Sequence, residues 1–450
     1  MHKNCLSCHS DVKRKGGLVI TSRESLLKGG DSGEAMVPGK AAESYLIETL
    51  YPDADSHMPP KKQLEPRDIA ALEEWINQGA KWNTDHWKKL TKPEKASVTL
   101  QDFPAEYSPV MAMALSPDGK TLLCGKGSGI DVYTVEPAED KKRPVQLNFQ
   151  RTLPGHADQI QAITFSPDGK SFVSGGFRKL ILRNIESIEE TKEITEPFLG
   201  RLTALSFSPD GKRLLVADSL PAQASQIHVV DVSGWKIVKT IENAHDDSIF
   251  DLEHSADGKL FASVSADKMG IVRDGEKHKI VSLLEGHTGY VLGVAFSPDG
   301  TYVATSGDDE AIKIWDTKKA VQSTSFSTRK SGPVGGLFWA VDPDNLAKKQ
   351  KEKDKDKAEA INIDRVVAIN DLGQPGTFVE LKIHEGGERS TGARERRHDK
   401  VDSPLTAMAY DASQLYLYAG SEDGRIFIWD KAGKKIQEYG EPLQVAKNGE

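Results

Sequence analysis

The feature that most constrains this chain is a unit that returns from about residue 110 to the C-terminus: an apolar strand, the tetrad Ser-Pro-Asp-Gly or a variant, a second apolar strand, then a third. It recurs at 112–135, 162–185, 204–232, 251–273, 293–317 and 407–431. The Pro-Asp-Gly triplet supplies turn chemistry between two alternating strands, since proline presets φ, aspartate bonds the backbone ahead of it and glycine accepts a positive φ. Repetition at a fixed period of about forty residues marks an array of like sheets rather than one mixed core.

Two units end in Ile312-Lys313-Ile314-Trp315-Asp316 and Ile426-Phe427-Ile428-Trp429-Asp430. Gly155-His156 and Gly286-His287 precede their repeats, and Ala244-His245 is a weaker form of the same pair. Together these blocks resemble the WD40 family, which implies four-stranded blades in an all-β propeller. A disguised unit brings the expected count to seven: 333–342 reads as its first strand, 361–370 as its second and 377–383 as its third. A mixed-charge insertion over 345–360 falls in this sixth blade, either as a solvated loop extension or as a docking tag. A seven-bladed ring leaves only short, protected strand edges. The resemblance further implies buried hydrogen-bonded sets that brace loops to strands. His287, Asp309 and Trp315 fit best, with Thr305 or Ser306 as the hydroxyl. Asp423 and Trp429 are kept in the last blade, whereas Arg183-Asn184 breaks the set in the second. Cys124 reads as a small buried apolar residue.

The N-terminal region has another texture. It opens with Cys5-Leu6-Ser7-Cys8-His9, a C-x-x-C-H pattern. On a helical turn, residues three and four apart share a face. Cys5 and Cys8 can then form thioethers to one porphyrin while His9 offers its imidazole to iron. A zinc site would want a second ligand pair, and the only other cysteine is Cys124. Downstream, His57-Met58-Pro59-Pro60 places a soft thioether on a stiffened loop, and a Met/His axial pair raises a haem's reduction potential. His57 is the competing sixth ligand. A helix is expected over 66–78, with Pro66 in its first turn, a stripe of Ile69, Leu72 and Ile76, and Gly79 at its end.

The run C-L-S-C-H, K-G-G-L, S-L-L-K-G-G-D-S-G, V-P-G-K, M-P-P-K and W-I-N-Q-G-A-K-W, from Cys5 to Trp82, resembles the Planctomycete-type cytochrome c domain. That resemblance implies a small all-α class I cytochrome c-like fold, haem c attached through Cys5 and Cys8, His9 proximal and Met58 distal. Such folds carry a helix ahead of the attachment motif. With only a stub of it here, the stripe on the 66–78 helix is expected to be partly uncovered.

The expected organisation is a haem module over 1–90, a linker over 91–104 and the propeller over 105–450. A net charge of −8 implies no strong attraction to nucleic acid or anionic membrane, and no run of eighteen apolar residues encodes a membrane helix. No signal peptide precedes Cys5, although haem c is attached outside the bacterial cytoplasmic membrane. An exported, periplasmic protein with a truncated start is therefore expected, the alternative being a cytoplasmic protein with a vestigial motif. Gly125-Lys126-Gly127-Ser128-Gly129 reads as a blade turn rather than a phosphate loop, and Asp53 and Asp55 as solvated carboxylates. No hydrolase, zincin or dinucleotide motif occurs. The expected function is electron transfer, with no catalytic residue and with the propeller presenting the haem to a protein redox partner. The alternatives are an interaction scaffold with a haem-free domain, and a peroxidase-like haem enzyme with an open sixth position.

Overall fold

The computed structural model describes residues 1–6, 8–11, 13–60, 62–84, 87, 108–140, 144–327, 332–341, 362–370, 372–373, 375–383, 389–392, 396–411 and 416–440. The expected linker over 91–104 and the charged insertion over 345–360 lie wholly outside the described residues. The chain divides into two compact units, Met1–Pro93 and Glu94–Glu450.

The first unit is small and holds a few short helices: α1 (His2–Cys5), α2 (Arg23–Lys28), α3 (Tyr45–Glu48) and α4 (Pro66–Asn77). Ser22 and Ser25 form a capping box that starts α2, and Pro66 opens α4, where its missing N–H costs nothing. The core comprises Ile20, Leu26, Met36, Ile47, Leu50, Leu64, Ile69 and Ile76. The α4 stripe, expected to be partly uncovered, is so only at Leu72 and at Trp75 beside it. Ile69 and Ile76 are buried and Leu72 is half-buried. The reason is tertiary: the chain over 20–50 folds onto α4, and Met1, Cys5 and Leu6 from the N-terminal turn pack on the same cluster. Arg23 also donates from Nε to the Ala80 carbonyl at 3.0 Å, tying α2 to the end of α4.

The second unit is a β-propeller. Six four-stranded antiparallel sheets cover residues 110–153, 162–194, 201–245, 249–285, 291–327 and 405–439, each built from four consecutive strands. A further, partly described sheet over 334–397 adds a fifth short strand. Its first two strands, Val334–Val341 and Asn362–Asn370, pair antiparallel on either side of the charged insertion. Each sheet's leading strand lies against the leading strands before and after it, and Leu405–Asp411 of the last packs on Val110–Leu115 of the first.

In the first five sheets the repeated tetrad makes the first turn in the same way. The Ser116 hydroxyl donates to Asp118 at 2.6 Å and accepts from the Thr121 N–H at 2.9 Å, while Asp118 accepts from the Lys120 N–H at 3.1 Å. Gly119 takes a φ of +71°. The same Ser–Asp bond recurs at Ser166, Ser208, Ser255 and Ser297, including the fourth repeat, where alanine replaces proline.

Neighbouring sheets meet through a common joint. In the second strand, Gly125 and Gly175 leave room for Ile160 and Leu202 of the next sheet; a Cβ at Gly175 would stand 2.8 Å from that of Leu202. The ring's seam uses this joint too, with Val110 of the first sheet set against Gly420 of the last. Around it, Met113, Leu122 and Tyr133 pack with Ala407, Tyr418, Ile426 and Ile428. Among the described residues no strand of one of these two sheets pairs with the other across the seam.

Candidate functional site

The helical turn that begins in α1 continues through the attachment motif. The N–H groups of Cys8 and His9 both donate to the Cys5 carbonyl, each at 3.1 Å. These bonds place Cys5, Cys8 and His9 one turn apart on a common face. The motif is then held from below: Lys15 donates its N–H to the Cys8 carbonyl at 3.1 Å, and Ile20 to the His9 carbonyl at 2.9 Å.

His9 Nδ1 lies 3.3 Å from the Leu18 carbonyl. A carbonyl only accepts, so Nδ1 carries the proton and the lone pair is left on Nε2. Burial holds the ring's pKa below the usual histidine value, against the opposing pull of the Leu18 and Lys15 backbone. A neutral imidazole oriented through Nδ1 is the form that ligates a metal. Burial likewise pushes the Cys5 thiol up, with the nearby Cys8 adding to the shift. The donor set therefore fits a c-type haem. Among the described residues no group of three or more His, Cys, Asp and Glu converges in the manner of a structural zinc site.

Met58 occupies the loop between α3 and α4, half-buried, with its N–H donated to the Thr49 carbonyl at 2.7 Å. His57, next to it, is engaged elsewhere: its Nε2 lies 2.9 Å from Gln63 Oε1. Gln63 Nε2 donates to the carbonyls of Leu50, at 2.8 Å, and Leu64, at 3.3 Å. Those two bonds fix the amide's orientation, so Oε1 accepts from His57 Nε2–H. Sequence reasoning missed Gln63; its place five residues after Met58 carries no motif. Asp53 and Asp55 are exposed, as expected of solvated carboxylates.

In the propeller, the set expected in the fifth sheet assembles with Thr305, not Ser306, as its hydroxyl. Trp315 Nε1 donates to Thr305 Oγ1 at 2.8 Å, and Thr305 Oγ1 lies 2.8 Å from His287 Nε2. His287 Nδ1 meets Asp309 at 2.9 Å, and Asp309 also accepts the Thr288 N–H. The proton order follows: Trp315 to Thr305, Thr305 to His287, and His287 Nδ1–H to Asp309. His287, Thr305 and Trp315 are buried, Asp309 is half-buried, and the set braces a loop to two strands. Ser306 instead donates to the Gly335 carbonyl in the adjoining sheet.

The last sheet departs from expectation. Trp429 Nε1 donates to the Asp399 carbonyl, and Asp423 pairs with Ser421 and Arg425, so the two do not join one set. Ala419 stands at the register of Thr305 and offers no hydroxyl. In the second sheet the set is shortened rather than lost. His156 Nε2 still meets Ser174 at 2.8 Å, and Arg183, in the tryptophan's register, donates to the Pro154 carbonyl. The fourth sheet repeats the device: His245 bonds Ser263 at 2.8 Å and Asp267 at 3.0 Å, while Arg273 donates to the Ala244 carbonyl at 2.9 Å. Gly125–Gly129 turns between two strands, and Cys124 is 0 % exposed, its thiol pushed well up by burial.

Residues 5–62 match the family model of Planctomycete cytochrome C, and residues 147–181, 235–272, 278–316 and 395–430 match that of the WD domain, G-beta repeat. An uncharacterised WD repeat-containing protein of Synechocystis sp. is 40 % identical over 122 residues, 26 % of this chain and 33 % of that protein. Protein hir1 of Schizosaccharomyces pombe is 24 % identical over 253 residues, 52 % of this chain and 25 % of its own length. A chromatin assembly factor 1 subunit FAS2 homolog of Oryza sativa is 37 % identical over 119 residues, 26 % and 23 % of the two chains. The chain thus spans between a quarter and a third of the length of these curated relatives, or slightly less. No helix among the described residues is long and apolar enough to cross a membrane.

Proposed function

We propose that this chain, which carries a Planctomycete cytochrome C domain and WD-domain repeats, is an exported electron-transfer protein whose propeller serves as a platform for a protein redox partner. A haem c bound there supplies reversible one-electron exchange. In this reading Cys5 and Cys8 hold it by thioethers, His9 Nε2 takes the proximal position and Met58 Sδ the distal one. With both axial positions filled by protein, substrate has no place at the metal, which favours a carrier over an enzyme. The observation that carries the reading is the His9 ring. It is half-buried and bonded through Nδ1 to the Leu18 carbonyl, with burial holding its pKa below the usual histidine value, so the ligating nitrogen is preset by the backbone.

The partly described sheet over 334–397 is taken as the sixth of seven blades, between 291–327 and 405–439. Export to the periplasm belongs to the same proposal, since thioether formation to haem takes place there. A second reading, an interaction scaffold with a haem-free N-terminal domain, is favoured by the chromatin-assembly and HIR names of relatives.

The test is expression with an export signal in a host that matures c-type haem, followed by denaturing extraction and intact-mass measurement. One covalently retained haem is expected, and its loss from the Cys5→Ala/Cys8→Ala variant. A wild-type chain that folds but comes out of the same host bare would leave the scaffold reading.

A further inference from the structure

The axial loop contains two residues able to ligate iron, His57 and Met58, side by side. The geometry points to Gln63 as the positioning residue that keeps His57 away from the sixth position and leaves it to Met58. This rests on the reading of Met58 as the distal ligand.

Gln63 spans the base of the loop. Its Nε2 reaches the Leu50 carbonyl on one side and the Leu64 carbonyl on the other, and its Oε1 faces His57 Nε2 at 2.9 Å. With both Nε2 protons committed to carbonyls, only the oxygen is left for histidine. The His57 Nε2 must then carry a proton and donate it. The nitrogen farthest from the backbone, the one best able to reach a metal, is consumed by this bond. What is left is Nδ1, crowded against its own Cβ. Meanwhile the Met58 N–H is tied to the Thr49 carbonyl at 2.7 Å, next to the Leu50 carbonyl that holds Gln63, so the methionine backbone is anchored on the same stretch. An imidazole outcompetes a thioether for ferric iron when both can reach it, because nitrogen is the harder donor. Adjacent placement without a restraint would therefore yield a mixed population of low and high potential.

The experiment uses the full chain, exported and haem-loaded, and reads visible spectra and midpoint potential. Four proteins are compared: wild type, Met58→Ala, Met58→Ala/Gln63→Leu, and the triple variant adding His57→Ala. Met58→Ala opens the sixth position while Gln63 still holds His57, so a partly high-spin spectrum is expected. Adding Gln63→Leu removes one net hydrogen bond, which shifts the ratio of histidine-ligated to open form about fivefold. The potential falls with it, and His57→Ala returns the spectrum to that of Met58→Ala. A Met58→Ala spectrum identical to wild type overturns the distal-ligand reading, and this inference with it, as does a protein without covalent haem. If Met58→Ala changes the spectrum but Gln63→Leu adds nothing, only the role of Gln63 is overturned. A low-spin triple variant overturns it as well, since another group then fills the position.

Discussion

Replacing Thr305 with valine removes one hydroxyl and keeps the volume and shape of the side chain. That hydroxyl is the middle member of a buried chain: it accepts from Trp315 Nε1 and donates to His287 Nε2, each at 2.8 Å. Thr305 is 0 % exposed and Trp315 1 %, so water does not replace it. The variant strands two polar atoms, each costing about 1–3 kcal/mol. The added methyl returns about 1 kcal/mol of burial. The expected loss is about 1–5 kcal/mol in the propeller's urea transition, followed by tryptophan fluorescence. Ser174→Ala in the second sheet is the internal control. There Arg183 replaces the tryptophan and donates to a carbonyl instead, so only His156 Nε2 loses its partner. Its Nδ1 already lacks one, because Arg178 stands at the register of Asp309. Ser174→Ala, with one atom stranded instead of two, should cost about 1–3 kcal/mol and less than Thr305→Val in the same assay. Equal losses, or a Thr305→Val loss under about 1 kcal/mol, would refute the proton order assigned to the set.

Asp251 and Glu253, on the leading strand Ile249–His254, are pushed by burial up to about 6 and about 8, against the N–H bonds they accept from Val294 and Phe296. The folded protein therefore holds protons that the unfolded chain releases above about pH 4, so this contribution is complete at low pH and is lost as pH rises through 6 and 8. Glu253→Gln keeps an acceptor for Phe296 and should flatten the fall in stability between pH 5 and pH 8; an unchanged slope in denaturation midpoints would contradict it. Arg425, 4 % exposed, joins Asp402, Asp423 and Glu438. Arg425→Met should cost about 2–3 kcal/mol in chemical denaturation, below the usual 3–5 for a broken buried pair because Asp402 is 75 % exposed. Gly420→Ala would bring a Cβ within 2.5 Å of the Val110 Cβ and should lower the propeller's melting temperature by overpacking worth about 1–3 kcal/mol, whereas Gly433→Ala, clear of the seam, should leave the Val110 packing and its hydrogen-exchange protection intact.

The parts of this molecule legible in its sequence are those whose chemistry is local. Ser116 to Lys120 closes its own turn within five residues, so the tetrad announced each hairpin, and the Cys5–His9 turn depended only on helical spacing. His287, Asp309 and Trp315 were legible because all three residue types survive together. His245 was harder to read. Its partners Ser263 and Asp267 are present, but Arg273 occupies the tryptophan's place and bonds a different atom. The Asp218–His228 pair, buried at 3.2 Å, belongs to no repeat pattern. Cover over the α4 stripe was not legible either. It comes from Met36, Ile47 and Leu50, which lie far from α4 in sequence and carry no period that points to it. Gln63 escaped notice for a related reason, since its role is set by two carbonyls and no side-chain spacing encodes them.

The seam between the first and last sheets bears on how the ring responds to force. Every other joint is backed by a covalent loop from one sheet to the next, but among the described residues the seam is held by non-covalent contacts: Val110 packed against Gly420, the Thr406 hydroxyl on the Val110 carbonyl, and the Leu147 N–H donated to the Tyr439 hydroxyl at 2.9 Å. Tension applied across residues 110 and 439 is borne there by contacts alone, while the remaining joints are shielded by the polypeptide in series. The ring should thus yield first at this one place and then shed sheets from its ends. New termini cut between two other sheets, with 110 and 439 joined by a linker, would move the weak point to the cut and leave the joints themselves unaltered.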